Sequence, residues 1–334
     1  MRVLFRCGHC RQKIETQAEA AGVVFACPAC GSSVRVPRRD IGPDLTVGGF
    51  RILRLLGRGG MASVYLARQL SVDRKVALKV LDPRVRREPR TVRLFLNEIQ
   101  LTAQLDHPQL VRAYEAGQDS GVLYMAMAYV PGESLHERVS RAGALAEREA
   151  LTLAAGLARA LQYAWEEHRL LHRDIKPSNV LLDTTGAPRL ADLGLALSLR
   201  APEGHPDGQR ACGTINYASP EQLSGETLND PRADMFGLAA TLYTAVTGQI
   251  PFAADSVPES VQRREREKLA PPRRLNPALS EGCATLLHRW MALRLRHRPH
   301  SWSEALRDLD AVRNGTAPSA VPADASVIEG NRAS

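Results

Sequence analysis

Apolar and polar positions change period several times along this 334-residue chain. "KVALKVL" (75–81) and "GVLYMAMAYV" (121–130) are short, nearly continuous apolar runs of the kind that become buried strands. In "TVRLFLNEIQLTAQL" (91–105), Val92, Phe95, Leu96 and Ile99 recur at a spacing of three to four, which predicts an amphipathic helix. "NVLLDTTGAPRLADLG" (179–194) predicts a strand, a Thr-Gly turn and a second strand. Beyond Gly186 the pattern is mostly helical, with a loop-rich interval near 198–212. "VPRRDIGPD" (36–44) has the composition of a linker, and 314–334 is small, polar and Pro-containing, the composition of disorder. No internal repeat stands out.

Composition adds a soluble globular character, and the longest apolar run is about half of a membrane span. The opening "MRVLFRCGHC" has no secretion-signal core, so the expected location is cytoplasmic with no membrane partner. The net charge is +8. Much of it sits in residues 1–39, where Arg2, Arg6, Arg11, Lys13, Arg35, Arg38 and Arg39 face only Glu15 and Glu19. The leading expectation is a solvated basic surface; contact with an acidic partner or nucleic acid is the alternative, and no aromatic stacking pattern supports it.

Four of the six cysteines lie in the same segment. Cys7-x2-Cys10, sixteen residues, then Cys27-x2-Cys30 has the spacing of a four-thiolate zinc site, with Gly8 and Gly31 easing the turns. Four sulfurs leave no open position, so Zn²⁺ here would be structural, and the segment resembles a zinc ribbon. The ribbon suggests a docking partner or self-association. His9 is a surface residue in this reading, and Cys212 and Cys283 are ordinary thiols.

"LLHRDIKPSNVLL" (170–182) sets Asp174, Lys176 and Asn179 among apolar neighbours, where polar groups are costly without partners. With "LLGRGGMASVY" (55–65), "VALK" (76–79), "FLNEIQ" (95–100) and "ADLG" (191–194), it resembles the protein kinase family over about 47–313. "GGMASVYLA", Lys176 and "GT" at 213–214 resemble in particular the eukaryotic-like Ser/Thr kinases of bacteria.

The resemblance implies an α+β, two-lobed protein kinase fold, with a β-rich N-lobe and a helical C-lobe, preceded by the small zinc ribbon. Its expected divisions are a ribbon at 1–37, a linker at 38–46, a kinase domain at 47–313 and a disordered tail at 314–334. It implies transfer of the γ-phosphate of Mg-ATP to Ser/Thr hydroxyls of protein substrates. Gly57 and Gly59 would cover the phosphates, with Ala62 at the family's third glycine position. Lys79 would hold the α/β-phosphates and pair with Glu98. Asp174 would accept the substrate hydroxyl's proton, Lys176 would neutralise the transferring phosphate, and Asn179 and Asp192 would bind Mg²⁺. Val64, Ala77 and Leu181 would sandwich the adenine before Met127, with backbone of Ala128 and Val130 at its edge. Glu221 would pair with Arg298, Asp234 would hold the catalytic-loop backbone, and Thr214 would approach Asp174. Ser178 stands where kinases preferring basic substrates often carry an acid, so that preference is not implied. Arg173 would meet Glu203 or Asp207 rather than a phosphate, or the loop would order without a negative partner, since 199–211 contains no Ser, Thr or Tyr. The alternatives are a pseudokinase scaffold, and a nucleic-acid-binding ribbon protein with a kinase attached.

Overall fold

The computed structural model describes residues 2–17, 23–35, 41–82, 85, 88–193, 197–198, 215–225, 229–266 and 269–319. The chain divides into two compact units, Met1–Val92 with Ala113–Tyr129, and Arg93–Arg112 with Val130–Ser334.

The first unit is built from antiparallel strands. Its ribbon consists of two hairpins, β1 (Arg2–Arg6) with β2 (Lys13–Gln17), and β3 (Val24–Ala26) with β4 (Ser33–Arg35). Contrary to the expectation of no internal repeat, Phe5, Cys7, Cys10 and Ile14 recur twenty residues later as Phe25, Cys27, Cys30 and Val34. The hydrogen bonds recur with them. Cys7 N donates to Gln12 O and Arg11 N to Cys7 O, and Cys27 N donates to Ser32 O and Gly31 N to Cys27 O. Cys7, Ile14, Cys27 and Val34 form the small shared core, closed by Phe5 edge-on to Phe25 at 6.4 Å.

After the linker come β5 (Thr46–Val47), β6 (Phe50–Arg58), β7 (Ala62–Gln69), β8 (Arg74–Leu81), β9 (Ala113–Asp119) and β10 (Val122–Ala128), in sheet order β5-β6-β7-β8-β10-β9. Alternation divides the sheet's two faces. Phe50, Ile52, Tyr65, Ala67, Val76, Leu78, Val80, Tyr124 and Ala126 pack into a core on one face. Val64, Ala77, Lys79 and Met127 belong to the other, set by the pairs Val64↔Lys79 and Ala77↔Met127.

The second unit is mainly helical. It contains most of α1 (Pro89–Ala103), then β11 (Gly132–Ser134), α2 (Leu135–Ala142), α3 (Glu147–His168), β12 (Leu170–Leu171), β13 (Val180–Asp183), β14 (Pro188–Leu190) and β15 (Leu197–Ser198). Beyond these lie α4 (Pro220–Leu223), α5 (Arg232–Thr247), α6 (Val257–Arg266), α7 (Pro272–Leu275), α8 (Glu281–Trp290) and α9 (Trp302–Arg313). Helix α5 is buried on every side from Ala233 to Val246, as a helix with no polar face must be. Its Gly237 lets the backbone approach the loop at Ile175, where an added Cβ would sit 3.3 Å from the Ile175 Cβ. Among the described residues no helix is long and apolar enough to cross a membrane.

Two expectations need correcting. In α1 the buried residues are Phe95, Glu98, Leu101 and Thr102, while Leu96 is exposed. An acid therefore occupies the inward stripe that apolar spacing alone assigned elsewhere. At the other end, the stretch composed like a disordered tail begins with ordered chain. Thr316 N donates to Ala311 O at 2.8 Å and Ser319 N to Asp308 Oδ1 at 2.9 Å, so residues 314–319 are tied to α9. The first bond uses an open carbonyl of the helix end and the second a side-chain carboxylate, neither of which composition reveals.

Candidate active site and metal centre

The loop after β12 is held from inside the second unit. Asp234, 3% exposed near the start of α5, accepts from His172 N and Arg173 N, each at 2.8 Å. Burial pushes this carboxyl up, against the pull of His172 and the two backbone N–H groups. Arg173 takes a left-handed conformation (φ 66°), and its carbonyl accepts from Gln222 Nε2 at 2.9 Å. His172 Nε2 lies 3.2 Å from Ala191 O, and Asp174 N donates to His172 Nδ1 at 3.4 Å. These ties fix both ends of a strained turn, the usual setting of functional residues.

The turn brings three of the expected side chains together. Lys176 Nζ reaches Asp174 Oδ2 at 2.7 Å, and Asn179 Nδ2 donates to Asp174 O at 2.8 Å and to Oδ2 at 3.1 Å. Asp174 is 8% exposed, and two donors converge on its Oδ2. Ala191 N donates to Asn179 O at 2.9 Å, which brings the segment carrying Asp192 beside the loop. Asp192 has a φ of 68° and is exposed, while Leu193 is buried in the core of the unit. Leu181 and Val130 are half-buried in the same unit, Leu181 on β13. Glu98 is 1% exposed.

In the first unit, Lys79 is buried at 6% exposure on the face shared with Val64, Ala77 and Met127. Ala128 follows at the end of β10. Gly57 and Gly59 are exposed near the β6–β7 turn, where Gly59 N donates to Ala62 O. A Cβ at Gly57 would meet nothing within 4 Å, and neither glycine has a positive φ. The fold itself thus makes no demand for glycine at Gly57.

Two supporting roles expected from the sequence are present. Glu221 and Arg298 form a bidentate pair at 2.6 and 2.9 Å, with Arg298 fully buried. Asp234 supports the loop as described. Gln222 and His172 join these supports without a sequence expectation behind them; His172 sits within "HRD", and Gln222 has no local signal. Thr214, Glu203, Asp207 and Cys212 lie outside the described residues, as does the side chain of Ser198, so the expected partner of Arg173 does too. Cys283 is buried, and burial pushes its thiol up to about 12, the behaviour of an inert core cysteine.

With this geometry in place, comparison with known proteins decides the family. The sequence model of the protein kinase domain matches residues 50–308. The chain belongs to the protein kinase family. It is 35% identical over 277 residues to "Serine/threonine-protein kinase PknB" of Mycolicibacterium smegmatis, an alignment covering 81% of this chain and 44% of that protein. Similarity to PknB of Mycobacterium tuberculosis is 34% with the same coverage. Similarity to "Serine/threonine-protein kinase PrkC" of Bacillus subtilis is 32% over 265 residues, covering 79% of this chain and 40% of that protein. This kinase-family chain therefore spans less than half the length of the curated relatives it matches.

Within the ribbon the four cysteine sulfurs all lie within 4.8 Å of one another. Cys7 and Cys30 sulfurs are 3.8 Å apart, Cys10 and Cys27 sulfurs 3.7 Å. A tetrahedral zinc with Zn–S bonds near 2.3 Å spaces its sulfurs by about 3.8 Å, so the cluster is compatible with Zn²⁺. Backbone and side-chain donors of Ser32 lower the Cys30 thiol to about 6. At Cys10 the Gln12 amide pulls down, but the neighbouring sulfurs, Cys30 foremost, push the thiol up to about 12. Four thiolates this close repel one another unless a cation sits among them.

Proposed function

We propose that the protein is a Ser/Thr protein kinase that transfers the γ-phosphate of Mg-ATP to hydroxyls of protein substrates. The observation that carries this reading is the Asp174–Lys176–Asn179 group, clamped by Asp234 on a buried helix. Asp174 would take the proton of the incoming hydroxyl, the role its donor-bound Oδ2 orients it for. Lys176 would offset charge on the transferring group. With its amide nitrogen turned to Asp174, Asn179 would offer its oxygen, and Asp192 its carboxylate, to Mg²⁺, which prefers such oxygen ligands. Bound Mg-ATP supplies the phosphoryl group and the metal's charge.

In the same reading Lys79 and Glu98 position the phosphates, and Gly57 and Gly59 let backbone come close to them. Val64, Ala77, Leu181, Met127, Ala128 and Val130 surround the base. Residues 47–313 form the catalytic domain, and 1–37 hold Zn²⁺ through Cys7, Cys10, Cys27 and Cys30. A cytoplasmic location suits free thiols and an ATP supply.

The test is ³²P transfer from Mg-ATP to a generic protein acceptor, with wild type beside Asp174→Asn. At least a hundredfold lower transfer is expected for the variant, with ATP affinity unchanged. Equal transfer by both would overturn the assignment of Asp174. No transfer by zinc-loaded wild type that still binds ATP would overturn the kinase reading.

A further inference from the structure

The ribbon's two halves share one backbone plan, so each serves as a control for the other. At the positions where the second half has Ala26, Gly31 and Ser33, the first has Arg6, Arg11 and Lys13. All three cations are exposed, and their side chains make no hydrogen bond or ion pair among the described residues. Arg6 and Lys13 stand directly opposite across the β1–β2 pair, where like charges destabilise a hairpin. Arg11 has φ 62° beside Gly31's 69°, a left-handed conformation that costs a residue with a Cβ more than glycine. Neither the fold nor the metal requires these residues, because the second half builds the same knuckle without them.

We propose that the first half of the ribbon is a docking face for an acidic segment of a partner or substrate protein. This rests on the kinase reading for its purpose: tethering a substrate raises its local concentration at the catalytic site. Phosphates of a nucleic acid are the lesser fit. Three cations would neutralise about three phosphates, a salt slope near −2, too few contacts for firm backbone binding. A base also has nothing to stack on, because Phe5 is half-buried edge-on against Phe25.

The experiment uses the full-length, zinc-loaded protein and two fluorescein-labelled probes, a Glu/Ser-alternating dodecapeptide and a twelve-nucleotide single-stranded dT oligomer, read by polarisation. Wild type is expected to bind the peptide more tightly than the oligomer, with affinity falling as salt rises. Arg6→Ala/Lys13→Ala should weaken peptide binding about tenfold. Arg11→Gly should weaken it about threefold while leaving thermal stability equal or higher, which a structural role for Arg11 would not allow. Ala26→Ser in the second half should change nothing. Equal peptide binding by all variants, or tighter binding of the oligomer, would overturn the proposal. Asp174→Asn should bind the peptide like wild type, so failure of docking and failure of the kinase reading give different results.

Discussion

The ribbon and the helical unit place their charges in opposite ways. In the helical unit, several charged groups go inside and are held by acids or backbone carbonyls. Arg298 meets Glu221, Arg289 meets Glu304 and Asp308, and Arg264 donates to the carbonyls of Ile215, Asn216 and Ala218. Burial, with the nearby Arg298 charge, lowers Arg264 to about 10. In the ribbon, where four of the described side chains make up the buried core, the cations Arg6, Arg11 and Lys13 stay outside and unpaired among the described residues. A large apolar core can enclose ion pairs that fix loops in place, whereas a core this small cannot bear the desolvation. Zinc held by the four cysteines, as proposed above, would organise such a small core and leave its surface charges available for other contacts.

The sharpest way to break this contrast is to remove the metal. Chelation, or Cys7→Ser, should unfold residues 2–35, because structural zinc contributes roughly 10–16 kcal/mol to such a fold. Hydrogen exchange should show protection lost there and kept in α5; a ribbon still protected without zinc would contradict the metal's role.

Next in size is Arg298→Met, which leaves Glu221 buried without its partner. A loss of about 3–5 kcal/mol is expected in denaturant unfolding of the helical unit, with the ribbon's zinc content unchanged. Asp234→Asn should cost less, about 1–3 kcal/mol, since one of the two N–H groups loses its acceptor. Its larger consequence should be in phosphoryl transfer, read as a fall in kcat with little change in the KM for ATP. Unaltered kcat would mean the loop does not depend on this clamp.

The smallest effect concerns pH. Burial lowers His107 below its ordinary value; its ring stacks on Tyr163 and its Nδ1 accepts from Gln109 N. The folded state therefore binds this proton less readily than the unfolded one, and stability should fall as pH drops below about 6.5, levelling off below the lowered folded value. His107→Asn should flatten that part of the stability profile; identical profiles would remove His107 from the account.

These regions were not equally legible in the sequence. The catalytic loop could be read because Asp174, Lys176 and Asn179 fall within six residues, and Glu221, Arg298 and Asp234 followed from family resemblance. The Cys spacing marks the thiol cluster, but the repeat around it is faint because few of twenty positions recur. Glu98 was recognised as a site residue yet not as part of the buried stripe, since a periodicity search counts only apolar residues. The burial of Arg264 and Arg289 had no signal at all. Arg264 bonds to backbone carbonyls, which any residue supplies, and Arg289 finds its acids 15 and 19 residues away.

With zinc in the site proposed above, the ribbon's symmetry would also bear on how quickly the ion exchanges. Cys7 and Cys27 are buried, whereas Cys10 and Cys30 are exposed, so each half contributes one sheltered and one accessible sulfur. A competing ligand must enter at Cys10 or Cys30, and either entry leaves the other half's pair still gripping the ion. Release would then be a two-stage process whose slow stage is the second half letting go, so zinc bound here should exchange slowly.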